Sequence, residues 1–227
     1  MEINIKTCSI ALVATGSLLA AGVAKADMVT LSQNAYSYNN GGEFSAVFSS
    51  TPNQSIEVFC DEISTVFSPG TSYSYKYVTT DSEGYGLSEG AAYLYSLFNA
   101  GTLPGYDYTD ASKRNADAGE LQAALWALTG QAVTGTGETA AYTPPTIGNN
   151  TFYALAYSKL AFPLSANNGL YPVDIMQLYN ADGSAAQAQF VPVPAPEVPM
   201  THAMVFGSIA LAGYGLLRRK SAVTAKA

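Results

Sequence analysis

Ser88-Glu-Gly-Ala-Ala-Tyr-Leu-Tyr-Ser-Leu-Phe-Asn-Ala-Gly101 is where the chain changes period. Ala91, Ala92, Leu94, Tyr95, Leu97 and Phe98 recur at helical spacing, with Ser88 at the N-cap position and Gly101 just past the end. Before this stretch the pattern is that of strands. In Ser55 to Ile63, the residues Ile56, Val58 and Cys60 point one way and Glu57, Phe59 and Asp61 the other. Met28 to Leu31 and Glu43 to Phe48 are further strands, with a hairpin signal at Asn40-Gly41, and Tyr73, Tyr75 and Tyr77 line one face of a fourth. After it, helical spacing continues. Residues 101–116 read as loop, and Asp117-Ala-Gly-Glu120 resembles a capping box opening a helix through Leu121, Ala124, Leu125 and Leu128. Phe152 to Leu160 reads as a third helix. Strands return at Pro172 to Tyr179 and Ala186 to Val191, joined by a hairpin at Asn180 to Gly183. Strands, then helices, then strands predict an α+β fold: an antiparallel β-rich domain, sandwich- or barrel-like, with about three inserted helices.

The two ends have their own logic. Lys6, the uncharged apolar run Ser9–Ala21 and Ala24-Lys25-Ala26 read as a signal peptide over residues 1–26, cleaved before Asp27. The apolar run is too short to span a bilayer, which takes about 20 residues. The domain proper is expected over 27–190. Val191 to Pro199 is a proline-rich spacer. In 200–227, a mostly apolar segment to Leu217 is stopped by Arg218-Arg219-Lys220, which places those charges on the cytoplasmic side.

Composition narrows the function. Residues 27–196 hold four basic and fifteen acidic residues, a net charge of −11. That gives no footprint for a phosphate backbone, so nucleic acid is excluded as a partner. The lone histidine, His202, lies in the tail, which removes imidazole-based triads, Cys-His pairs and His-containing zinc sites from the domain. No metal or other cofactor is called for. Asp107, Asp110, Asp117 and Glu120 do not fit an EF-hand, and read more simply as a solvated loop. The acid pairs Asp61/Glu62 and Asp81/Glu83 are of the residue type glycosidases use, but nothing in the sequence fixes their separation. Of the two cysteines, Cys8 falls in the signal, leaving Cys60 unpaired.

Alone, Cys60 reads as a small core residue and Gln122 as a solvated helix position. Their surroundings point further. Phe59-Cys60-Asp61-Glu62 at a strand end, followed by Leu121-Gln122-Ala-Ala-Leu-Trp126 on a helix, resembles the Cys-Gln thioester domains of bacterial surface adhesins. The resemblance implies that the Cys60 thiol and the Gln122 carboxamide condense with loss of ammonia. Phe59, Asp61 and Trp126 would form the bond's environment. The acyl group would pass once to an amine on a partner, so the protein would be a single-turnover bond-former and not an enzyme. Asp61 and Glu62, which replace the family's usual apolar step after the cysteine, are expected to raise the thiol pKa.

The spacer, Pro196-Glu197, the apolar segment and the basic end at Arg218 and Arg219 together resemble a PEP-CTERM sorting tail, with Val198 where that family has proline. This resemblance implies export in a Gram-negative bacterium, membrane contact through the tail, processing by an exosortase-type protease, and residence at the cell surface or in the extracellular matrix. The partner is then an amine-bearing surface protein or matrix ligand, polysaccharide included. The competing reading is a non-covalent structural or carbohydrate-binding matrix protein that uses some of its 16 tyrosines for stacking. The first reading requires the Cys60 and Gln122 side chains in contact. The second predicts them apart, beside an exposed row of tyrosines.

Overall fold

The computed structural model describes residues 27–38, 41–131 and 145–193. The strands are β1 (Met28–Tyr38), β2 (Gly41–Phe48), β3 (Ser55–Cys60), β4 (Ser72–Val78), β5 (Val173–Tyr179) and β6 (Ala185–Pro192). Between β4 and β5 lie α1 (Glu89–Asn99), α2 (Ala111–Leu128) and α3 (Thr151–Lys159). The strands close into an antiparallel barrel in the order β1-β2-β3-β6-β5-β4. The fold is therefore the α+β, antiparallel β-rich arrangement with inserted helices that the period changes predict, in its barrel form.

Alternation along the strands divides the interior in two. Val29, Leu31, Phe44, Ala46, Val58, Cys60, Tyr73, Met176 and Leu178 form one cluster, joined by Ala123 and Trp126 of α2. Phe59, Val173 and Phe190 face the other way and meet the helices, in a cluster with Leu94, Tyr95, Phe98, Leu121, Leu125 and Phe152. Both sides of β3's end are thus buried. A half-solvated strand would leave Phe59 and Asp61 in water, whereas helix packing and the 81–83 turn cover them.

Several boundaries differ from expectation. β3, for one, ends at Cys60 and not at Ile63, its β2 partners having run out at Val58 and its β6 pairing at Cys60. β1 runs to Tyr38, past Leu31, carried by a register shift between Gln33 and Ser37, and Gly41 pairs with Tyr38 inside the ladder instead of forming the turn. α2 starts at Ala111, because Asp110 caps it by accepting from Ser112 and Lys113 N–H. Asp117 does not cap; it accepts from the Asp107 N–H at 2.7 Å. β6 includes Val191 and Pro192, which the proline pattern assigns to the spacer. Pro192 is the last strand residue, where a missing N–H costs little.

One contact fixes the helices to the barrel and another packs α1 against its neighbours. Arg114 of α2 makes a bidentate pair with the fully buried Glu43 of β2 at 2.7 and 2.6 Å, and the Tyr106 hydroxyl also donates to Glu43. Gly90 lets α1 approach the chain at 163: a Cβ there would sit 2.7 Å from the Pro163 carbonyl and 2.9 Å from Leu128 Cδ2. Residues 1–26 and 194–227, with the signal peptide, Pro196, Glu197, Arg218 and Arg219, lie outside the described residues. Among the described residues no helix is long and apolar enough to cross a membrane.

Candidate functional site around Cys60

β3 pairs with β2 only as far as Val58. Beyond it, the main chain from Cys60 to Ile63 has few strand partners, and three glutamine side chains take their place. The Gln122 carboxamide clasps Cys60: Oε1 accepts from the Cys60 N–H at 3.0 Å, and Nε2 donates to the Cys60 carbonyl at 2.7 Å. The same Oε1 accepts from the Gly42 N–H at 3.3 Å, so Gln122 bridges the gap between β2 and β3. Gln131 repeats the device, accepting from the Ile63 N–H at 2.8 Å and donating to the Asp61 carbonyl. Gln187 Nε2 donates to the Glu62 carbonyl at 2.7 Å. Backbone groups buried away from water must be paired, and a carboxamide offers the same donor and acceptor as a peptide unit.

Cys60 and Gln122, 62 residues apart in sequence, are both 0% exposed. The two residues are therefore neighbours, but through the cysteine's main chain; no hydrogen bond joins the two side chains, whose contact the thioester reading requires. The thiol itself meets β6. Sγ donates to Gln187 Oε1 at 3.0 Å, and Gln189 Nε2 lies 3.9 Å from Sγ. Burial pushes the thiol pKa far above its usual value, and the charges of Asp61 and Glu62 push the same way, while the Gln189 amide opposes them. The expected effect of the two carboxylates is thus present but second to desolvation.

The environment residues divide. Phe59 packs into the helix layer, edge-on to Phe98 at 4.9 Å. Trp126 is buried with Cys60 in the barrel interior. Asp61 turns to the acids of the 81–83 turn. Its carboxyl faces that of Asp81, and burial, then the neighbouring Asp81, Glu62 and Glu83, hold its pKa well above the usual carboxylate range. Glu62 accepts from the Ala188 N–H at 2.8 Å and from both the N–H and hydroxyl of Ser82. The acid pairs Asp61/Glu62 and Asp81/Glu83 thus come together beside the cysteine.

The other acidic candidates are occupied locally. Asp107 accepts from Thr109 and Asp110 N–H, Asp110 and Asp117 serve α2 and its approach, and Glu120 accepts from the Thr151 N–H. Among the described residues no group of three or more His, Cys, Asp or Glu gathers to hold a metal ion.

Gln187, Gln189 and Gln131 escape the motif reading. A signal exists for two of them: Gln187 and Gln189 sit two apart on an otherwise apolar strand, so both face one interior. Comparison with protein-family models, with curated proteins and with solved structures finds no match.

Proposed function

We propose that this is an exported surface or extracellular-matrix protein that forms an internal thioester between Cys60 and Gln122 and spends it on an amine-bearing partner. The observation that carries the reading is the clasp. A helix carboxamide and a strand cysteine, at the positions of the thioester-domain motif, share hydrogen bonds at 3.0 and 2.7 Å in a site 0% exposed. Prior positioning of this kind replaces a bimolecular encounter. Sγ attacks Gln122 Cδ, the Sγ–Cδ bond forms and the Cδ–Nε2 bond breaks, and the thiol proton leaves with the nitrogen as ammonia. A partner amine then attacks Cδ, the sulfur departs, and a proton from the amine restores the thiol. Exclusion of water protects the thioester from hydrolysis between the two steps. The export and sorting parts of the proposal rest on the sequence of the two ends.

Intact mass tests it. The expected wild-type mass is short by one ammonia, with full mass in Cys60→Ala and in Gln122→Ala, and with a methylamine adduct after treatment. An unmodified wild-type mass with a free thiol rejects the thioester.

One feature favours the second reading, a non-covalent sugar-binding matrix protein. A surface cavity of about 410 Å³ is lined by Phe48, Tyr75 and Tyr77, and Tyr77 is 42% exposed. Saccharide binding lost in Tyr77→Ala, together with an unmodified mass, would establish it.

A further inference from the structure

The clasp leaves the cysteine sulfur facing β6, where the motif supplies no residue. Gln187 and Gln189 stand there, 4% and 0% exposed, and the Gln189 Oε1 atom has no hydrogen-bond partner. The sulfur therefore lies between an acceptor, Gln187 Oε1 at 3.0 Å, and a donor, Gln189 Nε2 at 3.9 Å. Gln187 is itself fixed: its Nε2 donates to the Glu62 carbonyl at 2.7 Å, which leaves Oε1 turned to the thiol. The hydrogen bonds of Gln122 to Cys60 go to the main chain and none to the sulfur.

We propose that Gln187 is the positioning residue of the Cys60 thiol, holding it as a proton donor in the precursor and directing it away from Gln122 until acyl transfer. The inference rests on the thioester reading for its consequence but not for its geometry. A thiol that donates a hydrogen bond is stabilised in its neutral form, and the neutral form is the poor nucleophile. Gln187 therefore restrains the reaction. Attack requires the S–H···Oε1 bond to break and the proton to pass to the Gln122 nitrogen as ammonia leaves. The Gln189 amide is then the remaining donor at the sulfur.

The test uses the full chain with Cys8→Ser, which leaves Cys60 as the sole thiol. Its S–H stretching band in the Raman spectrum reports the hydrogen bond directly, and Cys60→Ala identifies it. The first measurement is made with Gln122→Ala, where the thioester to Gln122 is impossible. The band is expected at the low frequency of a bonded thiol, moving up when Gln187→Met is added. An unmoved band overturns the proposal. Should Gln187→Met not fold, Gln187→Glu keeps an acceptor oxygen at the same reach and is expected to keep the low band; its loss there overturns the proposal too. With Gln122 present, Gln187→Met is expected to speed the loss of ammonia several-fold, and equal or slower loss counts against the restraint. If no variant ever loses ammonia, the thioester reading fails while the Raman shift still decides the role of Gln187. Ammonia loss that persists in Gln122→Ala and disappears in Gln187→Met would make Gln187 the acyl donor and overturn both.

Discussion

Phe59 and Cys60 are neighbours on β3, yet their side chains enter two separate interiors, and only the second carries buried carboxamides at its edge. Phe59 joins a layer of aromatic and aliphatic groups between the helices and the barrel wall, where area removed from water supplies the stability. Cys60 joins the apolar barrel interior with Val58, Met176 and Trp126, but its thiol there meets the buried carboxamides of Gln187 and Gln189. Burying carboxamides and carboxyls is favourable only when each finds a partner. Gln122, Gln131 and Gln187 do so by standing in for a strand along Cys60–Ile63. The difference teaches that burial on both sides of β3 holds the fold together, while the Cys60 side also keeps a short stretch of main chain and one sulfur in a fixed setting.

Substitutions on the two sides sharpen the contrast. Phe59→Ala removes a fully buried ring and is expected to cost about 3–5 kcal/mol in urea unfolding. Gln122→Ala strands the Cys60 N–H, the Cys60 carbonyl and the Gly42 N–H, and a buried group left unpaired costs about 1–3 kcal/mol. A net loss of about 2–3 kcal/mol is expected; a loss below about 0.5 kcal/mol would mean that the clasp does not carry that main chain.

The acids beside Cys60 give the contrast a pH dependence. The Asp61 pKa is raised in the folded protein, so above about pH 4 the unfolded chain ionises this carboxyl while the folded one keeps it protonated. Stability contributed by Asp61 is thus complete at low pH and declines as pH rises from about 4 toward the folded pKa. Glu62 and Asp81, also raised, act in the same direction. Asp61→Asn is expected to gain on the wild type as pH rises through that window, read as a growing difference in melting temperature. A constant difference from pH 4 to 8 would refute the buried protonated carboxyl. The smallest effect belongs to the surface: Lys113→Ala, which breaks exposed pairs at 3.6 and 3.9 Å to Asp107 and Asp110, should change stability by less than about 0.5 kcal/mol.

The order and type of the elements were legible because periodicity is local: the helical spacing from Ala91 to Phe98 and the alternation from Ile56 to Cys60 each lie within one element. Barrel closure was not, since β1–β4 and β3–β6 pairing joins segments that carry no mark of each other. The start of α2 was obscured by Asp110, a residue that suits a loop as well as a cap. The meeting of Cys60 with Gln122 was legible only through a motif. That the carboxamide would grip the main chain, and the thiol turn to Gln187, depends on where β3 leaves β2, a tertiary fact.

Closure through β6 also sets when the molecule can exist. The barrel needs Ala185–Pro192 to pair with both β3 and β5, and Cys60 needs Gln187 to occupy its thiol. A chain emerging from its N-terminus, from a ribosome or through a membrane channel, therefore has every strand but the last and still cannot shut. Until that strand arrives the thiol has no setting, and the pocket around Cys60 is complete only with the last strand in place.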